Sequence, residues 1–205
     1  MLSSASRLCL VLALTLIGPC AFAALPQSGA IELDPSRTAI AFKLPGSLHT
    51  THGTFELKRG AIKIDLISGA AGGLIVVDAT SGESGLSARE DRMRDSILET
   101  QKFPEILFAP YHVTGHLERD GRFRAVLQGM ITLRGEEHQL AIDAVGTLDG
   151  DLVVATARFS IPYVRWGLKD PSVLFLTVAK QVDIDITAVG QIMPVPLSAE
   201  RLPND

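Results

Sequence analysis

The sequence predicts an all-β domain closed as an antiparallel β-barrel with one helical insertion. Two observations carry that prediction. Apolar residues alternate with polar or small ones over about eight or nine segments at hairpin spacing, the pattern of strands with one buried face. One stretch alone, Ser87–Phe108, opens with a convincing helix, set between two β segments. Sequential antiparallel strands in that number suit an up-and-down barrel, which removes its own edges and can hold one ligand inside. A two-sheet sandwich is the alternative arrangement.

Ile31-Glu32-Leu33-Asp34-Pro35 leads into the first strand, Thr38–Leu44, where Ile40, Phe42 and Leu44 alternate with Ala39, Ala41 and Lys43. Pro45-Gly46 breaks it, and Phe55 and Leu57 alternate next. Arg59-Gly60 reads as a turn before Ile62, Ile64 and Leu66. Leu74–Thr80 carries the run Leu74-Ile75-Val76-Val77 and reads as a strand buried on both faces at one end.

In the helix, Ser87 and Glu90 have the spacing of a capping box. Met93 and Ile97, at i and i+4, give a narrow apolar stripe among Arg89, Asp91, Arg92, Arg94 and Asp95. Phe103-Pro104 is the expected end, because the residue before proline is pushed out of helical geometry. Such a helix fits a surface crossover or a lid across a barrel mouth.

Beyond it, Ile106–His112 is a strand whose Pro110 marks an edge or a bulge. Phe123, Ala125, Leu127, Gly129, Ile131 and Leu133 alternate along a long strand ended by Arg134-Gly135. Leu140, Ile142 and Ala144 begin the next, Asp149-Gly150 marks a hairpin turn, and Val153 to Ile161 alternate along another. A loop with Trp166-Gly167 and Asp170-Pro171 precedes Val173–Val178, and Val182, Ile184, Ile186 and Ala188 close the sheet.

At the amino terminus, Arg7, an apolar run from Leu8 to Ile17, and Ala21-Phe22-Ala23 have the form of a secretory signal peptide cleaved after Ala23. The expected organisation is a signal peptide over 1–23, a barrel over 24–190, and a flexible Pro-rich tail over 191–205. The expected location is periplasmic or secreted. Both cysteines, Cys9 and Cys20, fall in the removed segment, so a disulfide or a thiolate site is not expected. A proline precedes Cys20, where a lipidation motif needs a small residue. Cleavage removes 23 of 205 residues and leaves 182, with 18 basic residues (19 less Arg7) against 23 acidic ones. That balance, with no basic block, argues against nucleic acid as a partner.

Hydrophobic residues make up 46% of the chain, with one Trp and two Tyr, so the inward faces offer an aliphatic surplus. Inward faces lining a tunnel would draw on Phe42, Leu44, Phe55, Phe108, Met130, Phe159, Trp166 and Phe175, with Met93 and Ile97 from the helix. Ordinary core packing is the competing account of each. Arg89, Arg92, Arg165 and Lys169 would suit a phosphate head group if the helix and the Trp166 loop met at the barrel mouth; a solvated charged face explains them equally well.

The rival function is a metal-dependent enzyme built on His49 and His52, with turn histidines as the simpler account. His112 and His116 are four apart, about 13 Å on a strand, too far to share an ion. The chain carries no His-Glu-x-x-His, no Gly-x-Ser-x-Gly and no Gly-rich phosphate loop. No catalysis and no cofactor are expected.

Several stretches resemble one family in order and spacing. They are Leu33-Asp34-Pro35 with Ile40-Ala41-Phe42, Gly53-Thr54-Phe55, and the charged helix leading to Lys102-Phe103-Pro104-Glu105-Ile106-Leu107-Phe108. Gly129-Met130-Ile131-Thr132-Leu133-Arg134-Gly135 and Trp166-Gly167-Leu168 complete the set. Together they resemble the YceI-like family over roughly Ile31 to Gly190. The resemblance implies an exported, extended lipocalin-like barrel enclosing a polyisoprenoid or similar long-chain lipid. Transient membrane contact and a homodimer are further expectations for this chain. A structural or stress-related periplasmic protein without ligand is the other alternative. This chain departs from the family pattern at Arg89-Glu90, at Ile97-Leu98 after the helix, and at Tyr163.

Overall fold

The computed structural model describes residues 28–172 and 177–193. In chain order the strands are β1 (Ser28–Leu33), β2 (Ala39–Leu44), β3 (Thr51–Asp65) and β4 (Ala71–Glu83). After the helix come β5 (Glu105–Leu117), β6 (Arg122–Leu133), β7 (Glu136–Asp149), β8 (Leu152–Ile161) and β9 (Val182–Met193).

Every pairing among them is antiparallel. β1 pairs with the second half of β3 and β2 with the first half, and both also pair with β9. They form one interrupted stave, so the sheet closes as an eight-stranded up-and-down barrel. Closure excludes the sandwich.

The strands end where local chemistry requires. Arg134 (φ 53°) and Gly135 (φ 79°) form a two-residue turn between β6 and β7 whose positive dihedrals match the strand twist. Gly150 (φ 57°) turns β7 into β8. Pro110 sits at a register shift between β5 and β6, the bulge that its missing N–H requires. On β4, outward-facing Val76 is fully buried while Ile75 and Val77 face inward, so that segment is covered on both faces.

Four elements differ from the sequence expectation. Ile31-Glu32-Leu33 belongs to a strand, β1, rather than a lead-in. Arg59-Gly60 does not turn: β3 runs straight through, with a bulge between Leu57 and Arg59 that absorbs the twist, and Leu33 of β1 packs over Gly60. Of the expected strand Val173–Val178, residues 173–176 lie outside the described set, and Val178 makes one isolated bridge to Gly46. β9 continues through Met193, past the expected boundary at 190; the rest of the tail, 194–205, and the signal segment, 1–23, lie outside the described residues.

The insertion between β4 and β5 is α1 (Ser87–Arg92), continued without a break by a π-helical turn, Met93–Leu98. Its amino-terminal cap is Leu86, not Ser87, so the cap residue has no side-chain acceptor to offer. The reach-back half of the box is real: Glu90 Oε1 accepts from the backbone N–H of Leu86 at 3.2 Å and of Ser84 at 2.7 Å. The helix stops at Glu99 (φ 51°), before Phe103-Pro104 can act. Arg134 holds the Glu99 carboxylate at 3.3 Å, tying this stop to the β6–β7 turn.

Candidate functional site

Period-two alternation sends one face of every stave into the barrel. There Leu57, Ile62, Ile75, Val77, Leu127, Ile131, Leu140, Ile142, Ile161, Ile184 and Ile186 surround a cavity of about 410 Å³. Its wall is apolar, with aliphatic side chains outnumbering phenylalanines. Eight strands give an interior that side chains either fill or leave open for one small ligand, so the size of the inward side chains decides. Gly115, Ala125, Ala144 and Ala157 face one another in register across β5, β6, β7 and β8, and Ala155 faces Ala188 across β8 and β9. This belt of short side chains leaves the space. Between Phe55 and Ile64 the cavity follows roughly 30 Å of strand, or about 23 Å along the axis after strand tilt.

The two ends differ. At the helix end Phe42, Leu98, Leu133, Tyr163 and Leu168 are buried together, with Leu44, Met93, Ile97 and Trp166 packed against them, and the helix contributes nothing to the cavity wall. That end is plugged. At the other end the wall includes Leu66 and Leu117, which are 70% and 49% exposed. The cavity therefore meets solvent opposite the helix.

A YceI-like domain matches residues 32–190, most of the chain. The chain belongs to the YceI-like family. The barrel is similar in structure to BcnA of Burkholderia cenocepacia, with TM-score 0.59 and 14% identity, covering 77% of this chain and 98% of that one. It is similar to the same degree, TM-score 0.59 and 14% identity, to a polyisoprenoid binding domain from Saccharophagus degradans, over 80% of this chain and 98% of that one. At such identities the likeness is one of fold. No curated protein sequence matches the chain.

In this YceI-like barrel the residues singled out by sequence fall into separate groups. Phe55, Phe108 and Phe159 line the cavity. Phe42 and Leu44 face inward but belong to the plug, where the Phe42 ring lies 5.5 Å from that of Phe55. Met93 and Ile97 form the inner edge of the same plug. Met130 does not face the cavity: its neighbours Gly129 and Ile131 take the inward positions on β6, so strand periodicity turns Met130 out. Trp166 stacks on His138 at 4.4 Å and 2° and lines nothing. Phe175 lies outside the described residues.

The proposed head-group residues are not at the mouth. Arg92, Arg165 and Lys169 are exposed around the plugged end, and Arg89 donates to the Ser84 carbonyl at 3.3 Å. His49 Nε2 lies 3.5 Å from Arg89, and exposed His52 pairs with Lys43. Among the described residues no group of three or more His, Cys, Asp or Glu converges as a metal site.

The YceI-like chain's Tyr163 has a structural place. It is 4% exposed and donates its hydroxyl to the Ala179 carbonyl at 2.7 Å. Burial, with the nearby Asp170 charge, pushes its phenol up to about 12. Asp170 accepts from Lys180 and Ser172, which bring its carboxyl down to about 2. These bonds clasp the segment after β8 over the plug.

Sequence reasoning chose aromatics for bulk and passed over the aliphatic wall and the alanine belt. Both carried a signal: the wall residues are the alternating positions themselves, and the belt is a run of inward positions too small to fill a barrel.

Proposed function

We propose that this YceI-like protein encloses a polyisoprenoid or another long-chain amphipathic lipid in its barrel, as an exported carrier that does no chemistry on it. The observation that carries the reading is an aliphatic cavity of about 410 Å³ that is long, closed at one end and open at the other. That shape suits a flexible hydrocarbon chain entered end-first, with any polar end left at the mouth. The volume lies within the range of about 300–1,000 Å³ usual for small-molecule sites. The polyisoprenoid-binding description of the Saccharophagus degradans domain lends support to this choice of ligand class. The sequence pattern over residues 1–23 supports export.

Moving one isoprene unit from water into such a wall is worth about 3–4 kcal/mol, at about 0.8 kcal/mol per methylene. Measured from a bilayer the gain nearly vanishes, because lipid is as apolar as the wall. Such a barrel takes up and gives back membrane lipids; it does not trap them.

Native mass spectrometry of the protein isolated gently from an exporting host tests this. The expected result is a co-purifying long-chain lipid released as one hydrocarbon-rich mass. A uniformly empty protein that also fails to take up a polyprenol from detergent would overturn the reading.

A further inference from the structure

The mouth of the barrel has two lips, and both are greasy. One is the β3–β4 loop, which presents Leu66 and Ile67 at 70% and 73% exposure. The other is the end of β5, with Leu117 at 49%. Gly69 joins them, accepting from the Val113 N–H at 2.8 Å.

The β3–β4 loop is built rather than slack. Asp65 Oδ1 accepts from the N–H groups of Ile67 at 2.9 Å and Ser68 at 3.2 Å, and the Asp65 carbonyl accepts from Gly69 at 2.9 Å. A loop held by its own polar groups thus keeps two large aliphatic side chains in solvent. Leu66 and Leu117 also line the cavity, so apolar side chains of the inner wall extend to the rim. Exposed apolar surface continuous with a lipid-shaped cavity calls for an apolar partner at that end.

Charge narrows the partner. Arg119, Arg122 and Arg124 lie at the β5–β6 end of the rim, but so do Glu118 and Asp120, and Asp149 and Asp151 sit at the β7–β8 turn. Asp120 pairs with Arg122 at 2.7 Å and Glu118 with His116 at 3.7 Å. A mixed rim has no strong attraction for an anionic surface. Insertion of aliphatic side chains remains as the means of attachment.

We propose that this rim docks on a lipid bilayer, with Leu66, Ile67 and Leu117 entering the interface so that a lipid passes between membrane and cavity without crossing water. The proposal rests on the lipid-binding reading and adds where and how the protein meets the membrane.

The Ile67→Trp variant tests it in the full chain, on zwitterionic phosphatidylcholine vesicles with brominated acyl chains. The wild type supplies the control, since its one tryptophan, Trp166, packs at the opposite, plugged end. The expected result is strong quenching of the variant's emission and little change in the wild type, nearly independent of salt. The Leu66→Ser substitution added to that variant should weaken the quenching roughly tenfold in vesicle concentration.

Emission of the variant left as unchanged by vesicles as that of the wild type would overturn the proposal. So would emission already shifted to the blue without vesicles and unmoved by them, the sign of residues 194–205 lying over the rim. Uptake of a polyprenol from detergent, measured on the same variant, separates the two readings. Uptake without quenching removes the docking rim alone, and quenching without uptake removes the enclosed lipid alone.

Discussion

Ala144 on β7 stands directly opposite Ala157 on β8, on the inner wall of the barrel. With Ala125 and Gly115 in the same row, they are the reason that an eight-stranded barrel here holds a cavity. A large side chain at this row would close the tube without disturbing strand pairing. The Ala157→Phe substitution is expected to weaken polyprenol binding roughly tenfold or more while costing under about 1.5 kcal/mol of stability. Ligand displacement, read beside a urea unfolding curve, checks both halves. Undiminished binding would mean that the ligand sits elsewhere.

Gly53 lies across from Phe42 on β2, and a Cβ there would run into both the Phe42 ring and the Glu83 carbonyl oxygen. The carbonyl belongs to backbone and cannot yield, and the ring is fixed against Phe55. Gly53→Ala is therefore expected to destabilise by about 2–3 kcal/mol, lowering Tm by roughly 5–10 °C. Differential scanning calorimetry gives the answer, and a Tm within one degree of the wild type would show that the plug is soft.

These two cases show what was legible in the sequence. Strand periodicity is local, so Ile62-Ile64, Phe123 to Ile131 and Val182 to Ala188 announced their staves and their inward faces without tertiary information. Gly53-Thr54-Phe55 was legible as a motif, though its reason, the Phe42 ring overhead, was not. What failed depended on distant parts of the chain. Gly60 looks like a turn residue until Leu33 is placed above it. Trp166 looks like a wall residue until its stacking partner His138, on distant β7, is known. Which end is open depended on how the helix packs, and one apolar stripe fits a lid or a plug equally.

Tyr163 should limit stability in alkali. Its phenol ionises near 10 when the chain is unfolded and at about 12 in the fold. The native state therefore keeps the proton that the unfolded state loses. Its contribution is complete below pH 10 and falls away as pH rises through 12, by on the order of 2–3 kcal/mol. The ionised phenol also cannot donate to Ala179. Urea midpoints measured from pH 9 to 12 should fall steeply in the wild type and more gently in Tyr163→Phe. Parallel curves would place the alkaline loss elsewhere.

His138 offers the opposite case, a native group whose replacement should help. Its ring stacks on Trp166 at 4.4 Å, but its Nε2 is buried with no hydrogen-bond partner among the described residues. A buried polar atom left unpaired costs about 1–3 kcal/mol, while an aromatic pair contributes about 0.5–1.5 kcal/mol beyond area. Phenylalanine keeps the stack and removes the orphan nitrogen. His138→Phe is therefore expected to stabilise by about 1 kcal/mol and His138→Ala to destabilise, since alanine loses the stack and leaves a hollow beside the plug. Chemical denaturation of the three proteins decides it. A loss in His138→Phe as large as that in His138→Ala would mean that Nε2 is satisfied by an ordered water, and that the histidine is there for its hydrogen bond and not for its ring.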